Sequence, residues 1–207
     1  MVQKLNDRSN GKALARKREI LRSAAAAFRR RGFDGAGVED IAAGLGMTKG
    51  NLYYYFKNKQ EILYFCQNHS VDRMIAEADR IERLRVPADE KLRRLIEAQL
   101  RCMLDELGGS AAHLEFHALP QRLLRRIIAK RDRYEAILRR IVDAGIRAQI
   151  FEPLDPKLVT LAILGAINWT IKWYRSGGPL GPKEIADTFS TLLIDGLRRG
   201  TKWRSKR

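Results

Sequence analysis

Cysteine is scarce: Cys66 and Cys102 are the only two in 207 residues. They fall in apolar helical patterns and lack the spacing of metal ligands, so buried free thiols suited to a reducing cytosol are expected. Long apolar runs are missing as well. No stretch is long enough to span a membrane and no basic-then-apolar signal opens the chain, so a cytoplasmic location is expected. No segment alternates polar and apolar residues in the manner of a half-buried strand. The sequence also lacks a nucleophile with a matching base, a phosphate loop and a cofactor fingerprint; the glycines of GLGMTKG have no strand before them, as a nucleotide loop requires. Neither enzymatic activity nor a cofactor is expected. Acidic residues are in short supply: 24 Asp+Glu stand against 40 Lys+Arg, for a net charge of +16 and a pI of about 10.3. Such a surplus points to a polyanionic partner.

The surplus is uneven. Residues 1–60 hold 13 Lys+Arg and 5 Asp+Glu, giving +8, and the other 147 residues also give +8, so positive charge is about twice as dense at the head. Met1 to about Leu14 is polar and basic and reads as an arm able to follow a DNA backbone. From about Ala15 to Arg31 a helix places Ile20, Leu21, Ala24, Ala25 and Phe28 on one face, with Arg29, Arg30 and Arg31 at the end where the helix dipole favours cations, and Gly32 stopping it.

The chain is organised around Val38–Phe56, VEDIAAGLGMTKGNLYYYF. Val38, Ile41, Ala42 and Leu45 give a short helix one apolar face. Gly44 and Gly46 suit a tight turn, and Thr48 can cap a second helix. In that helix Leu52 and Phe56 face one side. The other shows Lys49, Gly50, Asn51, Tyr53, Tyr54 and Tyr55, followed by Lys57 and Lys59. Three consecutive tyrosines step about 100° apart and cannot all enter one core. Two helices joined through a glycine turn make a helix-turn-helix, whose second helix can enter the DNA major groove. Lysines there neutralise phosphates, tyrosine hydroxyls bond phosphate oxygens, and Asn51 can meet a base edge.

The run GLGMTKGNLYYYFKNKQEIL resembles the recognition region of TetR/AcrR-family transcriptional regulators, and REILRSAAAAFRRRGFDGAGVEDIA resembles that family's first two helices. The resemblance is specific over about Lys17 to Leu63. It implies an all-α protein: a three-helix helix-turn-helix head (residues 1–60) and a helical ligand-binding and dimerisation body (residues 61–207). Thr48, Lys49, Gly50, Asn51, Tyr53, Tyr54, Tyr55 and Lys59 fall where the family touches DNA. The family usually has Ser or Thr before the second helix; this chain has Ala36 and Gly37. The implied function is a homodimeric, ligand-responsive regulator, a repressor, released from a palindromic double-stranded operator by a small-molecule effector. Movement of the long helix after Lys59 would carry the signal.

The body reads as helices at about Ala88–Leu107, Ala111–Leu119, Gln121–Gln149, Pro156–Arg175 and Pro182–Arg199, with a basic tail from Thr201. The last two helices are too apolar for a simple surface, and suit either a monomer core or a four-helix dimer interface with a second copy. A ligand pocket could combine Asn168, Trp169, Lys172, Trp173, Tyr174 and Arg175 with Arg133, Tyr134, Ile137 and Arg140: aromatic walls, an amide and cations at the mouth, suited to an amphipathic anion. NWTIKWYRSGGPL resembles the corresponding region of an acyl-CoA-responsive branch of the family, which implies an acyl-CoA effector. Trp169 and Trp173 equally suit a dimer core. One metal-like pattern is present, HLEFH, with His113 and His117 four apart. It leaves a metal-dependent hydrolase using His113, Glu115 and His117 as the alternative, although Glu115 lies midway and projects away from the pair.

Overall fold

The computed structural model describes residues 2–104 and 116–200. Among these are eight α-helices: α1 (Val2–Gly35), α2 (Val38–Ala43), α3 (Lys49–Tyr53), α4 (Lys59–Glu82), α5 (Ala88–Leu104), α6 (Gln121–Arg147), α7 (Pro156–Trp173) and α8 (Pro182–Leu197), with a short 3₁₀ turn at Phe116–Ala118 before α6. Extended pairing among the described residues is confined to one isolated bridge between Phe151 and Arg198. The all-α expectation holds. The basic segment read as an arm is instead the start of α1. His113, Glu115, Gly108, Gly109 and most of the expected helix at Ala111–Leu119 lie outside the described residues, as does the tail from Thr201.

The described chain forms two compact units. One comprises residues up to Ser70 together with 116–127; the other comprises 71–104 and 128–200. The division falls partway along α4 rather than at its first turn. In the first unit Ile20, Leu21, Ala24 and Phe28 of α1 are buried against Val38, Ile41 and Ala42 of α2, Leu52 and Phe56, and Ile62, Leu63 and Cys66 of α4. Cys66 is sealed in apolar surroundings, and burial pushes its thiol pKa up to about 12, so it is an unreactive core residue.

Gly32 interrupts α1 with a φ of 69°, as the sequence leads one to expect. α2 then starts without a Ser or Thr cap. Gly37 has no side chain to offer, but Asp40 reaches back to accept a hydrogen bond from its N–H at 2.8 Å. Arg31 Nη1 donates to the same carboxylate at 2.8 and 2.9 Å. These contacts, the backbone N–H foremost, hold the Asp40 pKa below its ordinary value.

In the second unit α5 packs against α7 and α8. Leu92, Leu95, Ile96 and Leu100 of α5 are buried with Ile137, Leu138 and Ile141 of α6, Ile163 and Ile167 of α7, and Ile185 and Ile194 of α8. α6 ends where Gln149 takes a left-handed φ of 59°, and the chain doubles back so that the Ile150 and Phe151 N–H groups both donate to the Gly145 carbonyl. The buried Phe151 ring then lies against Gly145. A Cβ at 145 would sit 2.3 Å from Phe151 Cδ2 and Cε2 and 3.1 Å from Ala88 Cβ. Gly145→Ala is therefore expected to destabilise the body by about 1–3 kcal/mol through overpacking, read as a lower urea midpoint. An unchanged midpoint would mean that the ring has room to move aside.

α7 opens on Asp155, whose Oδ1 accepts from the Lys157 and Leu158 N–H groups at 2.8 and 2.9 Å, with Pro156 at the first helical position. Its buried face is Val159, Thr160, Ile163, Ile167 and Thr170. Its other face keeps Leu158, Leu161 and Trp169 exposed, and on α8 Leu192 is exposed as well.

Candidate functional site

The turn between α2 and α3 is built by two glycines in different ways. Gly46 supplies a left-handed φ of 61°. Gly44 keeps a right-handed φ of −63°; what it supplies is space, since a Cβ there would lie 2.5 Å from Ser23 Oγ, whose hydroxyl donates to the Ile41 carbonyl at 2.8 Å. α1 and the turn therefore approach closely. Thr48 caps α3, its Oγ1 accepting from the Asn51 N–H at 3.3 Å. α3 is short because the chain turns at Tyr54 and Tyr55, although the Phe56 N–H still donates to the Leu52 carbonyl at 3.2 Å. Leu52 is 0% exposed and Phe56 is buried, so one side of this segment is anchored.

The other side faces solvent. Thr48, Lys49, Gly50, Asn51 and Tyr53 are exposed, and Tyr54 is 86% exposed. Tyr55 is half-buried and packs on the head core, its ring meeting that of Tyr54 edge-on with centroids 5.3 Å apart. Lys49 pairs with Glu39 of α2 and lies 5.9 Å from the Tyr53 ring centroid. The pair lowers the Glu39 carboxyl pKa and raises that of Lys49. Lys59 is used differently: Nζ sits 4.3 Å from the Phe33 ring centroid and donates to the Asp34 carbonyl at 3.3 Å, tying the start of α4 to the end of α1. Of the eight residues expected at DNA, Tyr54 is an aromatic left 86% exposed, with only the edge of Tyr55 against its ring. An 86% exposed aromatic ring beside a lysine, an amide and a glycine backbone is suited to bonding phosphate oxygens and base edges.

The second unit contains a cavity of about 770 Å³. α4 lines it with Arg73, Met74, Glu77, Arg80 and Ile81, α5 with Leu95, Ala98, Gln99, Arg101 and Cys102, α6 with Tyr134, and α8 with Pro182. Glu77 accepts from Arg80 at 2.6 and 2.9 Å, which lowers its pKa. Arg101 lies 3.7 Å from Glu97. Arg73 has no acidic partner among the described residues, so the three arginines outnumber Glu77, the one carboxylate in the lining.

The ligand residues expected from the sequence divide between this cavity and the surface. Tyr134 lines the cavity, and Asn168 is bonded to the cavity residue Gln99 at 3.3 Å. Arg133 is exposed and paired with Asp79 at 2.7 Å. Arg140 is paired with Glu82 at 2.7 Å, and Ile137 is core. Lys172 and Arg175 are exposed. Trp169 is 63% exposed, and Trp173 is exposed with its ring 6.3 Å from Phe189. α4 and α5, which supply most of the lining, carried no ligand-binding expectation. Gln99 alone left a trace in the sequence, as a polar residue on the apolar stripe of Leu92, Leu95, Ile96 and Met103. Among the described residues no group of three or more His, Cys, Asp and Glu is placed to hold a metal ion, and His117 is exposed.

Residues 20–64 match the family model described as bacterial regulatory proteins, tetR family, and residues 85–197, more than half of the chain, match tetracyclin repressor-like, C-terminal domain. The chain is 32% identical to the TetR-family regulator PfmR from Thermus thermophilus, with 87% of this chain and 99% of that one covered at a TM-score of 0.80. It is 27% identical to the transcriptional repressor KstR2 of Mycobacterium tuberculosis over 93% of this chain and 98% of that protein. The solved structure of that ketosteroid transcriptional regulator gives a TM-score of 0.80. AibR, solved in complex with isovaleryl coenzyme A and operator DNA, is 26% identical, covering 86% of this chain and 98% of that one at a TM-score of 0.76. These relatives are regulators and give the metal-hydrolase alternative no support. The chain belongs to the TetR family of bacterial regulatory proteins.

Proposed function

We propose that this regulator represses transcription by binding a palindromic operator as a homodimer, and leaves the DNA when an acyl-CoA thioester enters the body cavity. The exposed Tyr54 carries the DNA half of the reading. Lys49, Asn51, Gly50, Thr48, Tyr53 and Tyr55 surround it on α3 and its flanks. Two such heads on a dimer would meet successive major grooves about 34 Å apart.

The cavity supports the effector half. Its volume of about 770 Å³ suits a small-molecule site. Met74, Ile81, Leu95 and Ala98 offer apolar surface to an acyl chain, and Arg73, Arg80 and Arg101 offer cations to phosphates. AibR, a relative with the same fold, is seen with an acyl-CoA and with its operator. The continuous α4 carries Ile62, Leu63 and Cys66 in the head core and Arg73 to Ile81 at the cavity. A ligand that favours one setting of this helix shifts the population of DNA-binding dimers through its differential affinity for the two states.

The test is fluorescence anisotropy on duplexes selected from a random pool by the wild-type protein. Tyr54→Ala is expected to weaken operator binding about tenfold, equivalent to about 1.4 kcal/mol, with dimer and helix content unchanged. Lys49→Ala should weaken it less, because Lys49 must give up Glu39 to reach a phosphate. Wild-type affinity in both variants would remove α3 from the interface.

A further inference from the structure

Gln99 and Tyr134 are polar, are 2% and 5% exposed, and line the cavity beside Ile81, Leu95 and Ala98. Polar groups in such surroundings lower stability unless they are bonded, and a lining meant only for hydrocarbon needs neither. The two are bonded to each other: the Tyr134 hydroxyl donates to Gln99 Oε1 at 2.9 Å. Burial raises the phenol's pKa, so it stays a neutral O–H donor.

The amide's donors are less evenly served. Gln99 Nε2 donates to Asn168 Oδ1 at 3.3 Å, and towards the Met103 sulfur at 3.7 Å. A thioether sulfur is a weak acceptor. One N–H of a buried, cavity-lining amide therefore holds a poor partner that a better acceptor can replace.

We propose that the acyl part of the effector carries an oxo group, whose oxygen accepts a hydrogen bond from Gln99 Nε2 in place of the Met103 sulfur. The inference rests on the reading of this cavity as the acyl-CoA site. A purely hydrocarbon chain leaves the Gln99–Tyr134 pair as it stands and gains only apolar burial. A carboxylate would have to bring its charge to a buried amide and a buried phenol, which costs more than bringing a neutral oxygen. A carbonyl brings two lone pairs and no charge, and keeps the bonds to Tyr134 and Asn168 intact. Gln99 is thus a specificity-determining residue, and Tyr134 a positioning residue that fixes which way the amide points.

Isothermal titration of the full-length protein with octanoyl-CoA and with its 5-oxo and 7-oxo derivatives tests this. The wild type should bind at least one oxo thioester about tenfold tighter than the plain one, since a site built to bond an oxygen discriminates against the analogue lacking it. Gln99→Leu should bind all three alike, the oxo thioesters losing their advantage over octanoyl-CoA. Gln99→Met fills similar space with a flexible apolar chain and serves if the leucine variant does not fold. Equal binding of plain and oxo thioesters by the wild type overturns the inference and leaves the acyl-CoA reading standing. A preference that survives in the Gln99 variants overturns the role of this amide. Binding of no thioester overturns both.

Discussion

A chain carrying Trp169→Arg and Leu192→Arg is expected to elute as a monomer, and its operator affinity to fall by about 10²–10⁴-fold, the range in which joint engagement of two sites exceeds either alone. The argument starts from where these side chains are. Trp169 is 63% and Leu192 69% exposed, so neither holds the subunit together. Changing them should leave the isolated fold within about 0.5 kcal/mol of the wild type, as surface substitutions generally do. The same exposure has no rationale in a solitary chain. On α7, Leu158, Leu161, Gly165 and Trp169 follow at spacings of three and four and share one face, and a Cβ at Gly165 would meet no atom within 4 Å. An apolar stripe with a small residue in its middle fits the close approach of a second helix, and a two-fold axis supplies that helix from an identical surface. Sedimentation velocity and anisotropy on the same samples check the result. A dimer that persists with both arginines in place would move the interface elsewhere.

The tryptophans also show what a sequence leaves open. Trp169 and Trp173, four apart, fit a ligand wall and a subunit interface equally well, because both demand apolar side chains at helical spacing. Periodicity reports that a face is buried, never by what. In one subunit Trp169 is outside the 770 Å³ cavity lining and open to solvent, which favours the interface reading that the double-arginine chain tests.

The cavity was illegible for a related reason. It forms where α4 and α5 meet Tyr134 of α6. Arg73, Arg80 and Arg101 look, along the chain, like ordinary cations on solvated helix faces. Only their placement around Met74, Ile81 and Leu95 makes them candidates for binding an anion. The head is the opposite case. Its signals are local: Thr48 caps a helix three residues away from its partner Asn51, and Leu52 and Phe56 sit one turn apart. Even there two details escaped. The sequence offers both Gly44 and Gly46 for a positive φ, yet only Gly46 uses one, while Gly44 is set by the distance to Ser23. Where the family usually has Ser or Thr before α2 this chain has Ala36 and Gly37, and Asp40 accepts the Gly37 N–H from the other direction.

The second large effect is expected from Leu52→Ala, which should destabilise the head by about 2–5 kcal/mol and abolish operator binding while thioester binding by the body persists. α3 has five residues, far fewer than an isolated helix needs to persist in water. Its orientation is therefore owed to packing, and Leu52, 0% exposed among Ile41, Phe56, Ile62 and other core residues, is the side chain that anchors it. Truncation to alanine leaves a cavity at that anchor and frees α3 to tilt or fray, and with it Lys49, Asn51 and Tyr54. Tyr54→Ala is also expected to weaken binding, but by removing a contact rather than the scaffold under it. Hydrogen exchange tells the two apart: amides of α2 and α3 lose protection in Leu52→Ala and keep it in Tyr54→Ala. Thermal melts should show an early transition in the first variant alone. If Leu52→Ala melted as the wild type does and still bound its operator, the recognition helix would have to be held by something other than its buried side, and the account of how this head presents a tyrosine to DNA would fail.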